Sequence, residues 1–352
     1  MQTQMRRQFG RSTPGRADRE ANLSSRGTAS LHWRMTPTSL VSVDAMRDAQ
    51  SAIAPHVLLT PVMGSTYLGA RAGSRVVLKL ELFQKTGSFK ARGVINTLRQ
   101  LSREERSRGV ISLSSGNHAQ ALAWGAARFG IAATILMPTT AVPSKVTATR
   151  EYGGEVIQTS GDLLATALQL QHERGLTLVH PFDDARVIAG QGTVGLEILA
   201  QVPEASVVIV ACGGGGLISG VAAAIKQLRP EVRVIGVEPA GADAMTRSLA
   251  AGSPQRLASV NTIADGLAAP FAGALNLAHC QAYVDDWFVV SDDEIVTAMR
   301  VLMERCKLLP EAAGAAAVVP LLTGRLSLPA HATVVPIICG GNVDLERLKA
   351  LL

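Results

Sequence analysis

Lys90 is the residue of this 352-residue chain whose surroundings most directly suggest chemistry. It follows the turn Thr86-Gly87-Ser88-Phe89, and apolar residues of helical spacing come after it. We therefore expect a helix capped by Ser88, with Lys90 in its first turn. A cation there opposes the helix dipole, and partial desolvation lowers its pKa further, as Schiff-base chemistry requires. Taken alone, the motif is also compatible with an ordinary surface lysine.

Two more turns precede helical segments, and each could bind an anion. In Ser114-Ser115-Gly116-Asn117-His118, backbone N–H groups and two hydroxyls at a helix start form a site suited to a carboxylate. In Gly213–Gly216, four glycines let the backbone wrap closely around an anion, and the dipole of the next helix favours a phosphate. An ordinary capped helix is the other interpretation of the first turn, with His118 as a packed helix residue.

The glycine turn has a rival interpretation as part of a dinucleotide-binding unit. It follows an apolar strand and precedes a helix and a second strand that ends in Glu238, the position of a ribose-binding acid. Gly190–Gly195 also matches G-x-G-x-x-G literally. However, that match follows Pro181–Asp184, which is not a strand, and the strand-borne turn has Ser219 in place of the third glycine. A nicotinamide-dependent oxidoreductase is therefore the remote alternative.

The four cysteines are far apart in the sequence and form no CxxC pair, which argues against a disulfide framework and a zinc site. A cytoplasmic location is therefore expected, because thiols stay reduced there. Cys339 directly follows the apolar run Val334–Ile338 and precedes Gly340-Gly341-Asn342. By itself it is expected to be a small buried hydrophobe.

The elements that position these turns follow from short apolar runs separated by segments of helical period, such as the one after Asn117. Continuous rather than alternating apolar strands, each followed by a helix, are typical of parallel sheets covered by helices on both faces. We therefore predict an α/β fold with two sheets, whose ligands collect beyond the carboxyl ends of the strands. The predicted strands are Val76–Leu80, Ala133–Met137, Leu176–Val179, Val207–Val210, Val232–Val237 and Val334–Ile338.

Composition and charge exclude several classes of protein. With 47% hydrophobic and 18% charged residues, the chain as a whole is not intrinsically disordered. Its net charge of +6 is concentrated in residues 1–34, where seven arginines oppose two acids. We expect a disordered basic arm there and a nearly neutral body with no face for nucleic acid. The uncharged segment Ala205–Ile225 has four glycines at its centre, which predicts a strand, a turn and a helix rather than a membrane span.

Taken together and in this order, the turns resemble the fold-type II pyridoxal-phosphate enzymes, whose fold is like that of the tryptophan synthase β subunit. Within them the chain is similar to the serine/threonine dehydratase (threonine ammonia-lyase) and serine racemase family. The resemblance covers about Leu58 to Asp344 and implies a large cofactor-binding domain (35–109 and 189–352) with a small inserted domain (110–188). The segments that carry it are Glu81–Gly93, Ser114–Gln120, Pro181–Thr193, Gly213–Gly220 and Cys339–Asn342.

The resemblance implies a role for each matching residue toward pyridoxal 5'-phosphate. Lys90 would hold the cofactor covalently, Phe89 would pack against its ring, and Asn117 would bond the ring hydroxyl. Gly213, Gly214, Gly215 and Gly216 would bind the phosphate, and Cys339 would face the pyridine nitrogen. Glu311, within Pro310–Gly314, matches a glutamate close to the active site. The substrate carboxylate would be received by Ser114, Ser115, Gly116, Asn117 and His118.

The implied activity is the deamination of L-threonine and L-serine, small β-hydroxy amino acids, to 2-oxobutyrate and pyruvate with release of ammonia. Lys90 would be the base beside the Cα proton, and the cofactor would take up the electrons. A neutral thiol at Cys339 cannot keep the ring nitrogen protonated, which favours loss of the β-hydroxyl over transamination. The chain ends soon after Asp344, so we expect no regulatory domain and a catabolic role.

Other activities of the same fold stay open. Ser115 stands where serine racemases have a second proton-handling serine, so we count it as a catalytic candidate and keep serine racemase or 3-hydroxyaspartate dehydratase as the alternative. Glu238 matches one metal ligand of metal-dependent racemases, but Ala244 replaces the expected aspartate, and we predict no tightly bound metal. A cofactor-binding protein without turnover is a further possibility. The family suggests a homodimer, with no nucleic-acid or membrane partner.

Overall fold

The computed structural model describes residues 40–351, and two β-sheets organise them. The strands in this range are β1 Val62–Gly64, β2 Arg75–Lys79, β3 Val110–Leu113, β4 Ala133–Pro138, β5 Glu155–Thr159, β6 Thr177–Leu178, β7 Val207–Ala211, β8 Arg233–Pro239, β9 Asp286–Val290 and β10 Thr333–Pro336. The α-helices are α1 Val43–Ile53, α2 Thr66–Ala72, α3 Lys90–Arg99, α4 Arg103–Arg108, α5 Asn117–Arg128, α6 Pro143–Glu151, α7 Leu163–Arg174, α8 Ala185–Gln201, α9 Gly216–Leu228, α10 Ala244–Ala251, α11 Ala274–Tyr283, α12 Asp292–Cys306, α13 Ala312–Ala315, α14 Val319–Leu322 and α15 Leu345–Leu351.

The larger sheet has the strand order β1-β2-β10-β7-β8-β9, and only β1 runs antiparallel to its neighbour. All five residues of β7 are buried, so helices and loops cover both of its faces. This explains why its sequence is a continuous apolar run rather than an alternating one. The predicted strands at β2, β7, β8 and β10 are confirmed.

The smaller sheet is parallel throughout, in the order β5-β4-β3-β6. Its strands all lie between Val110 and Leu178. They fall inside the segment 110–188, which we propose as the small inserted domain, with 35–109 and 189–352 forming the large one. The predicted basic arm, residues 1–34, lies outside the described residues.

The sequence pattern missed β1, β3, β5 and β9, and it overestimated β6, which has two residues. The missed strands are short or only half-buried. In β5, for example, no residue of Glu155–Thr159 is buried. A strand at the edge of a sheet leaves polar side chains in solvent, so its sequence lacks the apolar run on which the prediction relied.

The literal G-x-G-x-x-G match lies inside helix α8 and forms no loop. Its glycines allow close helix packing instead. A Cβ on Gly190 would overlap Gly93 of α3 at 2.6 Å, and one on Gly195 would lie 2.9 Å from Val221 O of α9. The uncharged segment 205–225 divides into β7, a turn and α9, as expected. Between residues 40 and 351, no helix combines the length and the apolar character needed to cross a bilayer.

A buried cluster of four charges fastens helix α3 to the rest of the large sheet. The Arg92 guanidinium donates to Glu81 (2.8 Å) and to Glu197 of α8 (2.6 Å). Lys79 at the end of β2 donates to the second oxygen of Glu197 at 2.6 Å. Burial alone would raise the pKa of Glu81, but Arg92 and Lys79 hold it below its ordinary value, which favours the ionised carboxylate. Arg92 lies two residues beyond Lys90.

Replacing Glu197 by Gln should destabilise the fold by about 3–5 kcal/mol, because Arg92 and Lys79 would keep a buried charge without its partner. Chemical denaturation followed by circular dichroism measures this loss. The matched control is Glu204→Gln, which breaks an ion pair with Arg75 on the exposed surface. It should leave the unfolding midpoint nearly unchanged. Equal shifts for the two variants would contradict a structural role of the buried cluster.

Candidate active site

One cavity of about 480 Å³ brings together every site residue predicted from the sequence. It lies where loops leave the carboxyl ends of strands from both sheets, as expected for parallel sheets. Ser114 follows β3, Gly213 lies two residues after β7, and Cys339 lies three residues after β10. The predicted residues that line it are Phe89, Lys90, Ser114, Ser115, Gly116, Asn117, His118, Gly213, Gly214, Gly215, Gly216, Glu311 and Cys339.

Lys90 is the first residue of helix α3. The prediction that Ser88 caps this helix is wrong. Phe89 holds the cap position without a side-chain bond, because Ser88 is extended (φ −161°) and pairs with Gly340 of the loop after β10. The Lys90 amine donates to Pro181 O at 2.7 Å and lies 5.1 Å from the centre of the Phe89 ring. Burial lowers the pKa of Lys90 to about 8, against the opposing effects of Cys339 and Glu311.

The Ser114–His118 segment begins helix α5 at the cavity. Gly116 is the cap residue and provides no side-chain bond, so the first amide N–H groups of this 12-residue helix have no capping side chain, and the residues at its start line the cavity. Together with the helix dipole, such groups are suited to an anion. The His118 ring is buried, and its Nε2 donates to Val179 O at 3.1 Å, because a carbonyl can only accept. Burial lowers the pKa of His118 to about 3, so the ring is neutral and fixed.

The glycine turn Gly213–Gly216 begins helix α9, and its neighbours leave no space for side chains. A Cβ on Gly213 would lie 2.9 Å from Leu267 Cα, and one on Gly214 would overlap the Phe182 ring. Gly215 has a φ of 102°, a conformation that favours glycine. The four glycines therefore line the cavity with bare backbone at a helix N-terminus.

Cys339 and Glu311 lie close together on the side of the cavity formed by the larger sheet. The Cys339 thiol donates to Ala313 O at 3.4 Å, and burial raises its pKa, so the sulfur is neutral. Burial also raises the pKa of Glu311 to about 7, while a 2.6 Å bond from Asn117 Nδ2 opposes this shift. The carboxyl of Glu311 is thus poised between its two protonation states near neutral pH.

Sequence reasoning missed several residues in or beside the cavity. The amide of Asn342 contacts Asn117, and the carbonyl of Pro181 accepts from Lys90. Lys145 of α6 and Arg347 of α15 both bind Asp265 at its edge, at 2.9 and 2.6 Å. Asn342 and Pro181 lie within segments that carried the family resemblance, so the motifs could have indicated them. Lys145, Asp265 and Arg347 come from three distant segments that share no motif.

Glu238 is occupied as a helix cap. Its two carboxylate oxygens accept from the backbone N–H groups of Met245 (2.9 Å) and Thr246 (2.7 Å), at the start of helix α10. Both oxygens are therefore engaged by the backbone of helix α10 in this arrangement. Within residues 40–351 there is no cluster of three or more His, Cys, Asp or Glu side chains that could hold a metal. The expectation that no metal binds tightly stays a prediction.

Comparison with known proteins assigns the family. The family model described as "Pyridoxal-phosphate dependent enzyme" matches residues 53–340. The chain belongs to this family. Its cofactor is pyridoxal phosphate, and its fold is that of the fold-type II members, as the sequence motifs predicted.

Three relatives of this pyridoxal-phosphate enzyme illustrate the match. An L-threonine ammonia-lyase of Thermotoga maritima is 41% identical over 316 residues, which cover 89% of this chain and 78% of that one. A serine racemase of Oryza sativa subsp. indica is 43% identical over 313 residues, covering 87% and 92%. The solved structure of maize serine racemase has a TM-score of 0.85 at 43% identity and covers 89% of this chain and 97% of that chain.

The residues of the cavity fit pyridoxal phosphate on physical grounds. The Lys90 amine is desolvated and can form a Schiff base with an aldehyde. The bare backbone of Gly213–Gly216 at the start of α9 suits a phosphate, since any side chain there would collide with Phe182, Leu267 or Asn276. A volume of about 480 Å³ holds a cofactor of this size together with a small amino acid.

The lowered pKa of Lys90 predicts its reactivity in the cofactor-free enzyme. Only the neutral amine reacts with an acylating reagent, so the labelling rate at Lys90 should rise with pH through a midpoint near 8. Mass spectrometry of the peptide that contains Lys90 measures this rate across a pH series. A midpoint near 10.5, the ordinary value for lysine, would show that burial does not act on this amine.

Proposed function

We propose that this chain deaminates L-threonine and L-serine to 2-oxobutyrate and pyruvate, with release of ammonia. The observation that carries the proposal is the desolvated amine of Lys90 in one cavity with two helix N-termini, one suited to a phosphate and the other to a carboxylate. The L-threonine ammonia-lyase of Thermotoga maritima, at 41% identity, supports this choice of reaction.

The cofactor would be held by Lys90 and by the start of helix α9. Lys90 Nζ would form the covalent link, Gly213–Gly216 would donate backbone N–H groups to the phosphate, and Phe89 would pack against the ring. Asn117 would donate to the ring hydroxyl. Pyridoxal phosphate, when bound, withdraws electrons from the Cα of an attached amino acid and so acidifies its Cα proton.

The substrate carboxylate would bind at the start of helix α5. The segment Ser114–Asn117 presents backbone N–H groups and two hydroxyls there, and the helix dipole adds a favourable field. The His118 ring remains with Val179 O, so its contribution would come from its backbone N–H. A carboxylate anchored at this end of the cavity fixes which bonds of the amino acid face Lys90.

Lys90 would also be the base that removes the Cα proton once the substrate amine has taken its place. A base is most effective when its pKa is close to the working pH. At a pKa of about 8 a substantial fraction of the amine is neutral near pH 8. At the ordinary lysine pKa of 10.5 less than about 1% would be neutral at that pH. The protonated amine can then pass its proton to the departing β-hydroxyl, which leaves as water.

Cys339 would favour this elimination over transamination. Its thiol is neutral because burial raises its pKa, so it places no negative charge beside the pyridine nitrogen. A carboxylate at that position would hold the nitrogen protonated and stabilise negative charge at Cα for longer. Without it, prompt loss of the β-hydroxyl is the favoured outcome.

Serine racemisation is a second candidate, and Ser115 is the observation that favours it. This hydroxyl lines the same cavity as Lys90, at the start of helix α5. A second proton-handling group beside Lys90 could return a proton to the other face of Cα. The serine racemase of Oryza sativa subsp. indica, 43% identical, is consistent with this activity.

We further propose that the enzyme is a homodimer. Leu59, Phe83 and Leu309 are 68%, 50% and 44% exposed. The segments that contain Leu59 and Phe83 lie side by side. The Gln84 side chain, next to Phe83, accepts from Leu58 N at 2.8 Å and donates to Leu58 O at 2.7 Å. A contiguous patch of exposed apolar side chains marks an interaction surface, and we assign these three side chains to one such patch. Sedimentation equilibrium of the purified chain measures the subunit number.

A cytoplasmic location also belongs to the proposal. All four cysteines are free and buried, and they lie within the described residues. Unpaired thiols are usual in a reducing compartment, whereas secreted proteins more often pair them. Cell fractionation followed by immunodetection tests this location.

Replacing Lys90 by Ala should abolish covalent attachment of the cofactor and lower ammonia release at least about 1,000-fold, since the variant lacks both the Schiff-base amine and the base. Borohydride reduction followed by mass spectrometry detects the covalent link, and a coupled assay measures ammonia from L-threonine. The matched control is Lys85→Ala, an exposed lysine five residues earlier, which should leave both readouts intact. A borohydride-stable adduct in the Lys90 variant would contradict the assignment.

Replacing Ser115 by Ala separates the two activities. If Ser115 returns the proton to Cα, conversion of L-serine to D-serine should fall by about 100-fold or more, while pyruvate formation falls much less. Chiral chromatography and an oxo-acid assay on the same samples give the two rates, so each serves as the control of the other. An equal fall in both would mean that Ser115 binds substrate and handles no proton.

A further inference from the structure

Asn342, three residues after Cys339, points its side-chain amide at a backbone carbonyl. Its Nδ2 lies 2.7 Å from Thr86 O, in the turn that precedes Lys90. Because a backbone carbonyl can only accept a hydrogen bond, this contact fixes which end of the Asn342 amide carries the NH₂ group. The orientation is therefore set by hydrogen-bond chemistry and not by shape, which is nearly the same for both ends of an amide.

The same NH₂ group reaches a second partner across the cavity wall. Asn342 Nδ2 also lies 2.8 Å from Asn117 Oδ1, at the start of helix α5. One hydrogen serves Thr86 O and the other serves Asn117, so the Asn117 carbonyl is fixed as an acceptor. Its NH₂ group must then point the other way, and it does so: Asn117 Nδ2 donates to Glu311 Oε1 at 2.6 Å.

Asn117 has two N–H hydrogens, and Glu311 uses one of them. The second is available to an oxygen of a molecule in the cavity. If the Asn117 amide were reversed, its NH₂ group would face the NH₂ group of Asn342, and an oxygen of the bound molecule would meet an acceptor instead of a donor. Leaving buried donors and acceptors without partners is strongly unfavourable.

We propose that Asn342 is a positioning residue that holds the Asn117 side chain with its second N–H hydrogen toward the cofactor ring. The inference rests on the proposed role of Asn117 and extends it to a residue that does not touch the ring itself. Thr86 O fixes the NH₂ end of the Asn342 amide by accepting a hydrogen bond from it. The same NH₂ group donates to Asn117 Oδ1 and so fixes the orientation of the Asn117 amide.

The packing around Asn342 supports this role. A Cβ on Gly87 would overlap the Asn342 side chain, so glycine is required where the amide crosses the turn. The two loops are further joined by Gly341 N to Gly87 O at 2.9 Å and by Phe89 N to Cys339 O at 3.1 Å. Thr86 itself has a φ of 60°, an uncommon value for a β-branched residue, and Asn342 bonds its carbonyl.

The test is Asn342→Asp, which keeps the shape of the side chain and replaces the NH₂ donor by an acceptor. The carboxylate would repel Thr86 O and would release Asn117 from its fixed direction. We expect the dissociation constant of pyridoxal phosphate to rise about 10-fold or more, because a buried hydrogen bond is lost. We also expect the visible absorption band of the bound cofactor to titrate at a higher pH, because the ionised ring hydroxyl would lose its donor. Asn342→Ala, which removes the donor without adding charge, should change both readouts in the same direction.

The matched control is Asn96→Asp. Asn96 of helix α3 donates from Nδ2 to Arg186 O at 2.6 Å, and it is not among the residues that line the cavity. This control tests whether the loss of any hydrogen bond from a side-chain amide to a backbone carbonyl weakens cofactor binding merely by lowering the stability of the folded protein. Thermal unfolding of the cofactor-free proteins compares the stability of the Asn96→Asp and Asn342→Asp variants. An Asn96→Asp variant with the same stability as Asn342→Asp should keep the affinity and the absorption titration of the original enzyme.

A double-mutant cycle with Asn117→Ala decides whether Asn342 acts through Asn117. In the Asn117→Ala background, Asn342→Asp should change the affinity and the titration by less than about 2-fold, because the group that it positions is absent. Additive losses in the double variant would overturn the proposal, as would unchanged affinity and absorption in Asn342→Asp alone. Both readouts concern cofactor binding and not turnover. If the original enzyme bound pyridoxal phosphate but released no ammonia, that result would overturn the proposed function and leave this inference standing.

Discussion

The position of the reactive lysine depends on a set of buried charges behind it. Arg92 is held by Glu81 and Glu197, and Lys79 completes the balance, so the start of helix α3 is fixed to β2 and to helix α8. Lys90 lies at the N-terminus of that helix. Because unpaired charges are so costly in the interior, loss of any of these pairs would destabilise the start of the helix that carries Lys90.

The cavity combines two demands that oppose each other in water. Lys90 has to be desolvated so that its pKa falls to about 8, whereas the phosphate and carboxylate groups need strong polar partners. Backbone N–H groups at the starts of α5 and α9 can meet both demands, because they would bind anions without adding a positive side chain beside Lys90. Two parallel sheets whose strands end at the same cavity make this combination possible.

Glycine has two structural roles in this chain, in a turn between a strand and a helix and in close packing between helices. Residue type alone did not distinguish them. Gly213–Gly216 and Gly190–Gly195 are both glycine-rich, but the first follows a buried strand and the second follows a turn that leads into α8. The position relative to a strand predicted correctly that the first set forms a turn between a strand and a helix and that the second set does not. The packing of α8 against α3 and α9 then accounts for the second set.

The sequence by itself determined the α/β class, the central strands of the larger sheet, the family motifs and one group of cavity residues, from Phe89 to Cys339, because each depends on local pattern or on a contiguous motif. Tertiary structure alone decided the edge strands, the cap of helix α3 and the partners of the buried charges. It also decided that Glu238 caps helix α10 and that Asn342 orients Asn117. Glu197 and Asn342 lie 105 and 225 residues away from the groups they bind, and no local pattern in a single sequence records which distant donor meets which acceptor.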